Sequence, residues 1–414
     1  MKILNFGSCN IDMVYSVDHI VNAGETIHTK KLDFFAGGKG LNQSIAAARA
    51  GATVYHAGCL GYDAKMLEDI LVSSGVDITF LKKVNEKNGH AVIQVDENGE
   101  NCIFLFGGSN EMIEKDDVDY VLSHFEKGDI LLLQNEINNL AYIIKQAHKL
   151  GMQIVLNPSP FDDEIKKIDL NLISYLILNK IEAQGFSGKD TPEAFLDFVK
   201  SNYPNLKIVL TLGKRGCIYF DSEQTHFHPS FKVTAVDTTA AGDTFTGYFV
   251  SVVANGHSYY HAIKTASCAS ALAVSKPGAA PSIPLKKDVD AALSTLKPYN
   301  CEKEKKQNVI KEKLDAFLDK DLKSASLVGL SKKLGYSESY TGTIIKKVTG
   351  ISFSEYLQKR RCEKAALMLL TTDLSILSII NTVGYENESF FRKKFKEIYG
   401  LSPLKYRKAH KNAD

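Results

Sequence analysis

No apolar run in the 414 residues approaches the roughly 18 that a membrane-spanning helix needs. The stretch Met1 to Phe6 leads directly into what reads as a first strand rather than a leader. A cytoplasmic protein that stays off the membrane is therefore expected. Cysteine is scarce: the seven, at Cys9, Cys59, Cys102, Cys217, Cys268, Cys301 and Cys362, are odd in number, far apart and without a CxxC pair. That pattern indicates neither a disulfide framework nor a zinc site, and reduced thiols are the default. A Walker A loop, GxxxxGK[ST], is missing as well, so phosphate chemistry would need another cradle. What is present is the composition of a globular protein, 44% hydrophobic and 24% charged, in a chain long enough for two domains. The net charge of +2 hides an asymmetry. From Cys301 onward there are 23 Lys and Arg against 14 Asp and Glu, whereas the preceding part carries 27 against 34. A basic terminal module suggests a polyanionic partner such as nucleic acid; a solvated charged surface is the plainer alternative.

The stretch Val236 to Gly247, VDTTAAGDTFTG, carries the strongest chemical signal. Small residues lead into Ala240-Ala241-Gly242, Asp243 follows, and an apolar helix-compatible segment runs on to Val253. First-turn N–H groups lack helical partners and sit at the positive end of the dipole, so an anion is favoured there. Asp243 adds a proton acceptor beside that anion hole. Taken alone, the segment reads equally well as a capping aspartate and a glycine turn. Upstream, Lys2 to Gly7 is a short apolar strand followed by Asn10 and Asp12, placed to grip hydroxyls at a strand's carboxyl end or to make a turn. Phe34 to Ala48, FFAGGKGLNQSIAAA, is a glycine turn opening a helix, with Gly38, Lys39, Asn42 and Gln43 near its start. Asn88 to Gly108 alternates, turns and alternates again, as a β-hairpin does. Strands and helices otherwise alternate from Lys2 to Val274, which implies a mainly parallel sheet covered on both faces.

GGKGLNQ and AAGDTF, in this order, resemble the sugar-binding and phosphoryl-transfer motifs of the ribokinase family of carbohydrate kinases. The resemblance covers roughly Lys2 to Leu296. It implies an α/β, ribokinase-like sheet with helices on both faces and a small β lid that covers the sugar and often pairs with a second subunit, hence a homodimer. It implies ATP as phosphoryl donor, with Asp243 as base and Ala240, Ala241 and Gly242 as anion hole. Asn10, Asp12, Gly38, Lys39, Asn42 and Glu136 would hold the sugar. Asn179 and Glu182, in LILNKIE, match the NxxE of the family's metal-phosphate region, with Glu182 acting on Mg²⁺ through water. Thr211, Gly213 and Gly216 resemble the nucleotide-receiving segment, and Ser267 falls near the adenine. Asp237, Thr239, Ala273, Lys276, Gly278 and Ser282 match the family's monovalent-cation loop, which would take K⁺.

Pro298 to Gln307 is polar and charged, and residues 299–307 are expected to be a linker between a kinase domain, 1–298, and an all-α domain, 308–410. Helix-turn-helix spacing occurs twice in that second domain. Leu334-Gly335-Tyr336 and Val383-Gly384-Tyr385 each precede a helix opened by a capping residue, Ser337 or Asn387. GYENESFFRKKFKEIYGLSPLKYR resembles the second repeat of the AraC-type DNA-binding domain, which implies two helix-turn-helix units on a double-stranded DNA operator. Asn387, Glu388, Ser389 and Arg392 are the expected base readers, Lys393, Lys394 and Lys396 the phosphate contacts, and Phe390, Phe391 and Phe395 the core. In the first unit Gly342 lies inside the recognition helix, at about 1 kcal/mol against alanine.

Two functions follow: ATP-dependent phosphorylation of the 5-hydroxyl of ribose, and control of transcription. The alternatives are a kinase fold serving mainly as a sugar or nucleoside sensor for the DNA reader, and a kinase for another furanose or nucleoside.

Overall fold

In the computed structural model, residues 1–299 and 301–410 are described, apart from the side chains of 301–308. The chain divides into two compact units, Met1–Tyr299 and the remainder.

Thirteen strands among the described residues make two sheets in the first unit. They are β1 (Ile3–Phe6), β2 (Asn10–Ser16), β3 (Lys31–Gly37), β4 (Val54–Leu60), β5 (Asp77–Lys83), β6 (His90–Val95), β7 (Asn101–Phe106), β8 (Ile130–Gln134), β9 (Gln153–Asn157), β10 (Tyr175–Asn179), β11 (Lys207–Thr211), β12 (Cys217–Phe220) and β13 (Thr225–His228). Nine form one sheet in the order β13-β12-β11-β10-β9-β8-β1-β4-β5, parallel from β11 to β5 and antiparallel at β12 and β13. The period of two sorts their side chains between two cores. Ile3, Ile130, Leu132 and Ile177 face one core, while Leu4, Phe6, Leu131, Leu133 and Leu178 face the other. Burial on both faces explains why β8 reads ILLL without polar alternation. The expected mainly parallel sheet is therefore present. The expected hairpin is β6 and β7, and with β3 and β2 it forms a separate four-stranded sheet, the lid.

The helices Lys39–Arg49 and Ala241–Ala254 cross at very close range. A Cβ at Gly247 would meet Ala46 Cβ at 2.5 Å and the Gln43 carbonyl at 2.6 Å. Only glycine there, against alanines, lets the backbones approach so nearly, and the amide-bearing start of one helix is thereby brought to Asp243 on the other.

The second unit contains helices Cys301–Lys320, Leu327–Leu334, Glu338–Thr349, Phe353–Thr371, Ile376–Thr382, Glu388–Tyr399 and Pro403–His410. The stretch expected as a linker is helical in backbone from Cys301, since lysine and glutamate favour helix and only the apolar positions from Val309 on carry the pattern. Asn300 lies outside the described residues. Phe353–Thr371 belongs to two small cores, giving Phe353 and Leu357 to one and Cys362, Ala365 and Leu369 to the other. Ser337 and Asn387 cap their helices as expected, accepting from Tyr340 N at 3.3 Å and Phe390 N at 2.9 Å. Ile345 and Ile380 fill the two cores, and Phe391 and Phe395 are core. Phe390 is a correction: it is 42% exposed, because it lies on the solvent side of the capped first turn.

Gly247→Val should destabilise the first unit by about 1–3 kcal/mol through overpacking, read as a lower denaturant midpoint; Gly242→Ala, whose Cβ would meet nothing within 4 Å, should hold or slightly raise the midpoint.

Candidate functional site

The site gathers where the carboxyl ends of β1, β8, β9 and β10 meet the two crossed helices, as ligand sites in open α/β sheets do. Behind β1 the chain turns sharply, and the glycine turn lies directly on it. Leu41 N donates to Ser8 O at 2.8 Å, and Gly40 N donates to Ser8 Oγ at 3.2 Å. Gly38 sits at φ 93°, a conformation that favours glycine. Glu136 pins this turn, because its Oε2 accepts from Ser8 Oγ at 2.5 Å and from Lys39 N at 3.0 Å. Asn10 is oriented by Asn110 at the base of the lid, whose Nδ2 donates to Asn10 Oδ1 at 2.7 Å while Cys9 N donates to Asn110 Oδ1 at 3.0 Å. Ser8 and Asn110 were invisible in the sequence, since their partners lie 128 and 101 residues away.

Asp243 is buried in the first turn of the Ala241–Ala254 helix. It does not cap that helix. Asn42 Nδ2 donates to its Oδ2 at 3.0 Å and Gln43 Nε2 to its Oδ1 at 3.0 Å, so the capping alternative gives way to a carboxylate held from outside its own helix. Asn42 Oδ1 is buried and makes no hydrogen bond within the protein. Of the three residues expected as an anion hole, Ala240 is buried and Ala241 N donates to Thr238 O at 3.2 Å. Gly242 is exposed at the helix start and lines a cleft of about 140 Å³ together with Lys39, Asn179, Glu182, Thr239 and Asp243.

Several carboxylates crowd one cation here. Burial opposes the Lys39 charge, yet Asp243, Glu136 and Glu182 together raise its pKa. Burial pushes Glu136 up despite Lys39 and the Ser8 hydrogen bond. Asp12, on β2, is pushed up to about 7 by burial and then by the charges of Glu136 and Asp243.

The expected nucleotide and metal residues are placed less uniformly. Asn179 and Glu182 form a capping box: Asn179 Oδ1 accepts from Ile181 N and Glu182 N, and Glu182 Oε2 accepts from Asn179 N at 2.8 Å. Burial raises the Glu182 pKa all the same. Thr211 Oγ1 donates to Leu178 O at 3.3 Å. Gly213 and Gly216 have φ of 58° and 110°, and a Cβ on Gly216 would meet His228 O at 2.0 Å. Ser267 is buried, with its Oγ 3.3 Å from Cys217 Sγ. Of the residues expected in the cation loop, Asp237, Thr239 and Gly278 come together. Asp237 Oδ1 accepts from Thr239 N and Oγ1 at 2.9 and 2.6 Å, and its Oδ2 from Gly278 N at 2.9 Å. Burial works against the Asp237 charge, but these bonds outweigh it and hold the carboxyl below its usual range. Lys276 N donates to Ala273 O at 3.1 Å and Ser282 Oγ to Ala279 O at 2.8 Å. Both segments are thereby folded into tight turns.

In the second unit, Asn387 and Ser389 are exposed at the start of the Glu388–Tyr399 helix. Glu388 Oε1 accepts from Arg392 Nε and Nη2 at 2.8 and 2.5 Å, which sets the guanidinium direction. Lys393 and Lys396 are exposed, and Lys394 Nζ pairs with Glu397 at 2.7 Å.

Comparison with known proteins agrees with this geometry. Residues 330–409 match a helix-turn-helix domain, in line with the AraC-type resemblance of the terminal module. A ribokinase of Staphylococcus aureus is 35% identical over 309 residues, covering 70% of this chain and 98% of that protein. A ribokinase of Haemophilus influenzae is 33% identical over 294 residues, covering 68% and 95%. The solved structure of a Cryptococcus neoformans ribokinase in complex with ADP superimposes with a TM-score of 0.64 at 32% identity, covering 70% of this chain and 99% of that one. With residues 1–286 matching the pfkB family carbohydrate kinases, the chain belongs to that family.

Proposed function

We propose that the chain transfers the γ-phosphoryl group of ATP to the primary 5-hydroxyl of ribose, giving ribose 5-phosphate and ADP, and that its helical unit is a sequence-specific DNA-binding regulator. The single observation that carries the first part is Asp243: a buried carboxylate at a helix N-terminus, facing one cleft with Lys39 and Gly242. The ribokinase relatives, and an Arabidopsis thaliana ribokinase structure complexed with ribose and ATP, support ribose and ATP as the substrates.

In this reading Asn10, Asp12, Gly38, Lys39, Asn42 and Glu136 orient the sugar. Glu136 keeps the glycine turn closed with one oxygen, and Asn42 offers Oδ1 to a hydroxyl. Asp243 accepts the hydroxyl proton as the 5-oxygen attacks, and the Gly242 amide with the helix dipole stabilises charge on the transferring group. Asn179, Thr211, Gly213 and Gly216 line the nucleotide side, with Ser267 behind it. Mg²⁺, when bound, neutralises phosphate charge, and the buried carboxylate of Glu182 suits it through water. The turns at Asp237–Thr239 and Ala273–Ser282 suit K⁺, held mostly by backbone carbonyls, and order the neighbouring helix start. Exposed Phe34, Ile103, Phe104, Leu105 and Phe106 on the lid sheet support pairing of two copies through the lid.

For the second part, domains of 1–298 and 308–410 give the kinase and the DNA reader separate cores. Asn387, Glu388, Ser389 and Arg392 read bases, and Lys393, Lys394 and Lys396 neutralise phosphates on a duplex operator. The setting is the cytoplasm, where ATP and DNA are both available. Sugar, ATP or product can regulate transcription only by favouring one state of the chain over another.

Asp243→Asn should lower kcat at least about 100-fold with ribose affinity by calorimetry nearly unchanged; retention of most of the rate removes the assignment of Asp243 as base. The ionised fraction of Asp12 grows as pH rises through about 7, so the KM for ribose should fall between pH 6 and 8, and Asp12→Asn should flatten that dependence. On a non-specific DNA duplex, log affinity against log salt should be steep, and removing Lys393 and Lys396 together should reduce the slope by about 2.

A further inference from the structure

Asp243 is held by more than its two amide neighbours. Behind Gln43 runs a line of side-chain amides drawn from β1, β8 and β9: Asn5 and Gln134 are buried away from the cleft, while Asn157 is half-buried at its wall. Asn5 and Gln43 are 0% exposed and Gln134 is 1% exposed. Asn5 Nδ2 donates to the Gly40 carbonyl at 2.7 Å, and Asn5 Oδ1 accepts from Gln134 Nε2 at 3.1 Å. The same Gln134 Nε2 donates to Gln43 Oε1 at 2.8 Å. Gln43 Nε2 then spends its two hydrogens on Asp243 Oδ1 and Asn157 Oδ1, both at 3.0 Å. Asn157 is fixed from its far side, with Nδ2 donating to the Ile177 carbonyl at 2.9 Å.

The direction of every amide in this line is determined. A backbone carbonyl can only accept, and one stands at each end, Gly40 O and Ile177 O. Starting from Gly40 O, the Asn5 amide must present its oxygen to Gln134, Gln134 its nitrogen to Gln43, and Gln43 its nitrogen to Asp243. Starting from Ile177 O, Asn157 must present its oxygen to Gln43, which gives the same orientation. Turning Gln43 over would set its oxygen against the Asp243 carboxylate and the Asn157 oxygen, and its nitrogen against the Gln134 nitrogen. Around Gln43 and Gln134, which are buried, each reversed contact costs heavily, because no solvent compensates a lost partner.

We propose that Gln43 is a positioning residue for Asp243, and that Gln134 and Asn5 act through it, locking the Gln43 amide so that only donors face the carboxylate. The consequence is an Asp243 carboxylate held in one plane, with one donor on each oxygen, before any substrate enters. Gln134 never touches Asp243, yet its identity decides which end of Gln43 does. The proposal rests on the reading of Asp243 as the base that accepts the sugar hydroxyl proton.

The test uses the purified full chain with ribose and ATP, recording kcat and KM from pH 5.5 to 9.5 beside thermal melting. Gln43→Glu sets a second carboxylate against Asp243, so the acid limb of kcat should move up by about one pH unit or more, with KM changed less than about threefold. Gln134→Glu, which offers only acceptors to Gln43 and so turns it over, should move the limb in the same direction. Gln43→Met, which removes the donor without adding charge, should lower kcat about tenfold at nearly constant KM and remain folded even if the acidic variants do not. Profiles of folded Gln43→Glu and Gln134→Glu that superimpose on the parent, or an unchanged kcat for Gln43→Met, overturn the proposal. A parent chain that phosphorylates neither ribose nor any other pentose, hexose or nucleoside overturns the kinase reading itself.

Discussion

The site depends on the contact between two helices that cross at Gly247 and Ala46. Helix pairs with ordinary side chains at their crossing keep axes about 8–10 Å apart; a glycine over alanines brings the backbones closer. That closeness lets Asn42 and Gln43, in the first turns of one helix, reach the oxygens of Asp243 in the first turn of the other. Two helix N-termini thus point into one cleft. Among the described residues no cation pairs with the buried carboxylate between them, and amide donors hold both of its oxygens. Such an arrangement orients the acid group through neutral donors, with the Lys39 charge acting from across the cleft.

Crowding of negative charge is the second constraint. Asp243, Glu136 and Glu182 all act on one half-buried lysine, Lys39, and Glu136 and Asp243 act on Asp12 as well. The protein manages the excess by giving each carboxylate a different task. Glu136 closes the glycine turn through Ser8 and Lys39 N, Glu182 completes a capping box, and Asp243 receives amides. Asp12 is pushed up to about 7 by burial and by the charges of Glu136 and Asp243. Carboxylates set at different proton affinities by their surroundings are what a site needs when one must stay charged and another must exchange a proton.

Much of this was legible in the sequence, and the reason is local. A glycine turn before an alanine-rich helix, or small residues before an aspartate, puts several chemically necessary residues within one turn, so GGKGLNQ and AAGD declare themselves. The parallel sheet was legible for the same reason, since apolar runs such as ILLL alternate with helical stretches. The amide line was not. Asn5, Gln134, Gln43 and Asn157 come from four separate elements, and no spacing in one dimension announces that they meet. Asn179 and Glu182 differ again: their spacing suits both a metal region and a capping box, and the capping box is the part that the fold reveals. The charged stretch from Cys301 has composition suited to a tether and propensity suited to a helix, and the helix prevails. Phe390 has the hydrophobicity of a core residue and a position one step off the buried stripe held by Phe391 and Phe395.

The central claim is that Asp243 stands over the hydroxyl that receives phosphate. A crystal structure of the full chain with ribose and a non-hydrolysable ATP analogue tests it most directly. The account predicts the ribose 5-oxygen about 3 Å from an Asp243 carboxylate oxygen, in line with the γ-phosphorus. A sugar bound with that hydroxyl turned away from Asp243, or bound outside the cleft shared by Lys39 and Gly242, would contradict it.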